Sequence, residues 1–137
     1  MSKWQVALVL VCFPILSPAQ GPTSGSPAPL AETLIFRLYP DNLPGRRGHQ
    51  LDIARIAQSA GVVTARITMH GLGQDRCRIQ GHPAEGSFDG TKLVLKAKVE
   101  SSDNITCPMA FELIRTPDGK FEGRYTNSQF SGNVKPD

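Results

Sequence analysis

The feature that most constrains this chain is a two-residue alternation of apolar and polar side chains that recurs along most of its length. In "VVTARITMHG", Val63, Ala65, Ile67 and Met69 fall on one face, and Thr64, Arg66, Thr68 and His70 on the other. Successive side chains of a β-strand point to opposite faces, so this spacing describes a strand with one face buried. "TLIFRLYP" repeats it, with Leu34, Phe36 and Leu38 opposite Arg37 and Pro40 closing the run. "DRCRIQ" sets Cys77 and Ile79 against Arg76, Arg78 and Gln80. "TKLVLKAKVE" sets Leu93, Leu95, Ala97 and Val99 against Lys92, Lys96, Lys98 and Glu100. In "ITCPMAFELIRT", Ile105, Cys107, Met109, Phe111 and Leu113 share a face. Phe121 with Tyr125, and Phe130 with Val134, continue the series to the C-terminus.

One stretch resists the pattern. In "HQLDIARIAQ", Leu51 and Ile53 alternate, but Ile56 and Ala57 break phase, and a short helix over 49–58 also fits. A strand is the favoured reading, because "SAG" before Val62 has the form of a hairpin turn. "PDGK" (117–120) is a second turn signal, since Pro sets φ and Gly accepts a positive φ. Strands about ten residues apart, with turns between them, predict an all-β fold: a single small antiparallel meander of about 7–8 strands, forming a barrel or a sandwich.

The N-terminus predicts export. A single positive charge at Lys3 precedes an apolar run, Val6 to Leu16, and small residues at Ser17 and Ala19 follow. That is the form of a secretory signal peptide over 1–19, and the run is shorter than the 20 or so residues that span a bilayer. Residues 20–31, "QGPTSGSPAPLA", form a flexible Pro/Gly/Ser-rich linker by composition, and 32–137 form the antiparallel β domain. Cys12 lies inside the apolar run after Val11, where a lipoprotein signal needs a small residue.

Removing 1–19 leaves Cys77 and Cys107, an even number for an oxidising compartment. Neither belongs to a C-x-x-C motif, and each is in phase with apolar neighbours. They are expected to form a disulfide in a periplasmic or extracellular protein. Such a bridge contributes about 3.5 kcal/mol by restricting the unfolded chain. That is substantial for a single domain with a modest core.

The segment "EGSFDGTKLVLKA…CPMAFELIRTPDGKFEGRYTNSQFSGNVKP" resembles the meander of small exported bacterial β-proteins described as lipocalin-like. The shared element is a Gly-containing turn followed by a strand and a short return strand, at Gly86–Gly90, Gly119–Gly123 and Phe130–Gly132. The resemblance covers roughly the C-terminal half. It implies an antiparallel β fold and an envelope or extracellular location, and it brings no functional residues with it. The Gly-x-Trp signature of lipocalins proper is missing, since the single Trp is Trp4.

No motif implies a cofactor. His70, Cys77 and His82 are zinc-ligand types, but their spacing matches no compact zinc pattern and Cys77 has a partner in Cys107. Neither G-x-S-x-G nor H-E-x-x-H occurs. Glu85, Asp89 and Glu122 are turn or outward carboxylates that only a glycosidase reading would recruit. Asn104-Ile105-Thr106 has the form of an N-glycosylation sequon.

The remaining functional feature is basic. Arg76, Arg78, Lys92, Lys96 and Lys98 occupy the polar phase of two segments joined by one loop. Were those segments paired, the five charges would share a face able to attract a polyanion. Few aromatics on the polar phases means few platforms for bases, so nucleic acid is disfavoured. Net charge is only +3, so the cluster rather than the overall balance carries the argument. The expectation is an exported, non-enzymatic binding or interaction protein, with a polyanionic envelope or host-surface ligand or another protein as partner. The alternatives are a carrier of a small apolar ligand, with a cavity lined by Phe36, Met69, Phe111 and Phe121, and a small hydrolase.

Overall fold

The structure, a computed structural model, describes residues 26–45, 48–70, 80–97, 110–126 and 131–137. Eight strands follow one another: β1 (Thr33–Pro40), β2 (His49–Ser59), β3 (Val62–His70), β4 (His82–Phe88), β5 (Lys92–Ala97), β6 (Ala110–Arg115), β7 (Phe121–Thr126) and β8 (Ser131–Pro136). Each pairs antiparallel with its chain neighbour, and β8 returns to β1, so the meander is a closed barrel. Closure removes the free edges that a sandwich would keep. The stretch 49–58 lies within β2, and the helix alternative for it does not occur.

The alternating residues are the interior. Phe36, Leu38, Leu51, Ile53, Val63, Ala65, Ile67, Met69, Leu93, Leu95, Phe111, Leu113, Phe121, Tyr125 and Val134 are all buried in one cluster. No charged or polar residue is buried among the described residues. In a barrel of eight strands the interior is narrow enough for side chains to fill. Cys77, Cys107, Arg76, Arg78, Lys98 and the sequon at Asn104 lie outside the described residues, as does the expected strand "DRCRIQ" up to Ile79.

Two expectations need correction. From the sequence, His82 reads as a loop residue and Gly86 as part of a turn. Instead "HPAEGSF" is strand β4, paired with both β3 and β5. Its inward phase is Ala84, Gly86 and Phe88, whose small members hide the alternation. Gly123 lies within β7, the strand expected from the phase of Phe121 and Tyr125. A Cβ on Gly86 would sit 1.7 Å from the carbonyl oxygen of Val94, and one on Gly123 1.9 Å from that of Glu112. Both glycines lie where the neighbouring strand's backbone passes too close for a side chain.

The phase break in β2 is a β-bulge. Ala54 pairs with Arg66 and Ala57 with Thr64, so Arg55 and Ile56 together face Ala65. Arg55 takes φ 51°, a left-handed conformation unusual outside glycine. The inward phase of Leu51 and Ile53 would otherwise carry a guanidinium into the core. The bulge slips the phase by one residue: Arg55 stays exposed, and Ile56 packs against the core. The Ile56 amide turns to donate to the Glu32 carbonyl at 3.1 Å.

Candidate functional site

Of the expected basic face, Lys92 and Lys96 lie on β5, and Arg76, Arg78 and Lys98 lie outside the described residues. Over 92–97, β5 pairs with β4 on one side and β6 on the other. Lys92 and Lys96 do point outward from β5. Lys92 Nζ, however, lies 2.7 Å from Glu112 Oε2, and this ammonium holds the Glu112 carboxyl below its usual range. Lys96 is exposed opposite Glu85 in the β4–β5 register. Glu112 in turn faces Arg124 across β6 and β7. The wall over β4–β7 therefore mixes charges of both signs.

The histidines separate in the same way. His70 is outward, and its Nε2 lies 2.6 Å from Asp52 Oδ2. Partial burial pushes the Asp52 carboxyl up, but hydrogen bonds from Gln50 and His70 prevail and hold it below its ordinary value. His82 pairs with buried Ile67 and so shares the inward phase; its Nδ1 is buried with no hydrogen-bond partner among the described residues. His70 and His82 thus lie on opposite faces of the wall. Among the described residues no three His, Cys, Asp or Glu side chains gather as a metal site would require. Of the outward carboxylates, Asp89 makes a turn, its Oδ1 accepting the Thr91 and Lys92 amides at 2.8 and 2.6 Å. Glu122 is exposed on β7, and Glu85 on β4.

A different basic site forms on the outside of β2, β3 and β4. Arg55, Thr64, Ala65, Arg66, Pro83, Ala84 and Glu85 line an open groove of about 360 Å³. The bulge creates it, because the extra residue in β2 lifts Arg55 out of the ladder beside Arg66. On the far side, Pro83 pairs with Arg66 and Glu85 with Thr64. Arg66 is steadied by one bond, its Nη1 donating to the Gly81 carbonyl at 3.2 Å, and Gly81 N donates to Thr68 Oγ1 at 3.0 Å. A guanidinium has five donors, and among the described residues Arg66 uses one of them, toward Gly81.

Sequence reasoning passed over both arginines. The available signal was the interrupted alternation at Arg55–Ile56, which inside an otherwise regular strand marks a bulge. No family model, curated protein or solved structure matches this chain. Fold and site define its class: an eight-stranded up-and-down antiparallel barrel with an apolar interior and an arginine-lined groove on its outer wall.

Proposed function

We propose that this protein is an exported, non-enzymatic binding protein that recognises a polyanionic envelope or host-surface ligand through the outside of its barrel. The observation that carries this reading is the outer groove, which Arg55 and Arg66 line together. Guanidinium groups bind sulfate, phosphate and carboxylate through paired, charge-assisted hydrogen bonds. Export is supported by the signal-like N-terminus and by the two remaining cysteines, which the proposal takes as a Cys77–Cys107 disulfide. The connections that contain them, 71–81 and 98–109, leave from the same end of the barrel.

The carrier alternative needs an open cavity at four side chains, and their burial favours the surface reading over it. Phe36, Met69, Phe111 and Phe121 are each 6% exposed or less and belong to one packed cluster. Among the described residues no helix is long and apolar enough to cross a membrane.

The test sets a heparin resin against a neutral apolar naphthylamine dye. Salt-dependent retention, without saturable dye uptake, supports a surface binder. Charges act over about 8–10 Å at physiological salt, so elution should come early as salt rises. Stoichiometric dye uptake by protein that passes straight through heparin would establish the carrier instead.

A further inference from the structure

The turns at Ala60–Gly61, Asp89–Thr91 and Thr116–Lys120 lie together at one end of the barrel. We infer that this end is a docking site for an uncharged, proline-containing segment of another protein, and that residues 27–30 occupy it in cis. The inference goes beyond the outer groove and does not depend on it.

The sequence shapes the occupant. In "SPAPLA" (26–31), Pro27 and Pro29 fix their own φ, and each restricts the residue before it, Ser26 or Ala28, to extended backbone. A segment so restricted loses little freedom on docking. Surfaces that recognise proline-rich chains exploit this preformed shape through aromatic-lined grooves.

The end of the barrel supplies a matching surface. The Arg115 guanidinium lies 4.9 Å from the ring centre of Phe88 and 5.1 Å from that of Phe121. From that seat Nη1 donates to the Ala28 carbonyl at 2.8 Å, and Nη2 to that of Pro29 at 3.4 Å. Leu30 packs against the core. Gly90 leaves room for Pro27, since a Cβ there would come 2.7 Å from the Pro27 Cγ. A plain cap has no need of a guanidinium. Methionine at 115 would cover the rings without leaving a buried Nε unpartnered, as it is here. What the arginine adds is a grip on two successive carbonyls, which selects a backbone shape.

The occupant is loosely tied. Ser26 to Pro29 and Ala31 are exposed. Among the described residues, the first backbone hydrogen bond from this part of the chain to the barrel is at Glu32, whose carbonyl accepts from the Ile56 amide at 3.1 Å. Release of 27–30 therefore loses the Arg115 bonds and the Leu30 and Pro27 contacts, while every strand pairing remains. A segment that leaves without unfolding the barrel competes with any partner of the same chemistry.

The experiment adds the peptide acetyl-SPAPLA-amide to the full chain and follows the amides of 88–92 and 114–121 and the Arg115 Nε–H by NMR. The parent is compared with Pro27→Gly/Leu30→Ser, which frees the site, and with that pair carrying Arg115→Met. Pro27→Gly alone serves as a milder opening, and thermal melts verify that each variant folds. We expect saturable shifts at those positions in the opened variants, with roughly tenfold or more tighter binding than in the parent, whose site is already filled. Arg115→Met should abolish them, and a peptide with glycine at both proline positions should bind more weakly. No saturable shift in an opened variant that melts cooperatively would overturn the inference and leave 27–30 a fixed cap. Equal binding without the guanidinium, or by the glycine peptide, would overturn the recognition assigned to Arg115 and the prolines. A concentration-dependent dimer of the parent that the peptide dissolves in sedimentation would overturn the foreign partner and make a second copy the occupant.

Discussion

At one end of the barrel the strands turn back within a few residues, over Ala60–Gly61, Asp89–Thr91 and Thr116–Lys120. At the other, the chain runs through 41–48, 71–81, 98–109 and 127–130 before the next strand begins. The tight end is stopped from within. Phe88 and Phe121 meet edge to face at 5.9 Å, and the Arg115 guanidinium lies 4.9 and 5.1 Å from their ring centres. Arg115 also reaches out, donating from Nη1 to the Ala28 carbonyl at 2.8 Å and from Nη2 to that of Pro29 at 3.4 Å. Leu30 packs against the core, and Pro27 lies so close to Gly90 that a Cβ there would come within 2.7 Å of it. The strap over 27–30 thus belongs to the tight end. Short turns and a local cation–aromatic stack define an end by themselves. Binding functions usually concentrate on loops, and the longer ones lie at the other end.

The comparison makes unequal demands on equally buried residues. Phe121→Ala should cost about 3–5 kcal/mol, through the cavity, the lost ring contact with Phe88 and the loss of one face for Arg115. Met69→Ala is as well buried, near the loop end, but leaves no cation without its ring and should cost less. Urea titration of the two variants measures the difference. A larger loss for Met69→Ala would break the asymmetry.

A finer test replaces Arg115 with Met, which keeps an apolar stem and removes the guanidinium. Cation–π contacts and hydrogen bonds of this kind contribute about 1–2 kcal/mol together, partly offset because Nε is buried without a partner. The expected result is a modest loss of stability with faster proteolysis between Ser26 and Ala31. Unchanged cleavage there would mean that Leu30 and Pro27 hold the strap without Arg115.

The same contrast explains what could be read in the sequence. Alternation located β1, β3, β5 and β6, whose inward positions carry mostly large apolar residues, and β7 and β8 from fewer of them, Phe121 and Tyr125 in one and Val134 in the other. The Ala60–Gly61 turn was legible from "SAG", and both residues do take positive φ, as a two-residue hairpin loop requires. β4 was missed because Ala84 and Gly86 bury little surface, and Pro83 argues against a strand interior. With β4 unread, its place beside β5 was open to the segment holding Arg76 and Arg78, which lies outside the described residues. The groove was hidden for a related reason. Arg55 and Arg66 are eleven residues apart, and only the bulge and the β2–β3 register bring them together.

The smallest expected effect lies near the start of the loop end, where Asp41 follows β1. Arg124 Nη1 donates to Asp41 Oδ1 at 2.9 Å and Ser131 Oγ to Oδ2 at 2.8 Å, while the Asp41 amide donates to the Ser131 carbonyl at 3.0 Å. These contacts join β1, β7 and β8 at the seam where the barrel closes. Hydrogen bonds from Arg124 and then Ser131 hold the Asp41 carboxyl below its ordinary value of 3.8. A carboxyl whose pKa is lowered by folding binds its proton more weakly in the folded state. Its stabilisation is therefore full above the ordinary value and is lost as pH falls through the lowered one. Asp41 and Arg124 are both well exposed, so salt and solvent screen the pair and the effect is small at neutral pH. Asp41→Asn should lower the thermal midpoint slightly near neutrality, and the gap from the parent should narrow below about pH 4 as the parent loses the same charge. Thermal melts of both proteins across the acid range measure that gap. A gap that stays constant or widens on acidification would show that the seam is held by the backbone bond to Ser131, with the carboxylate contributing nothing.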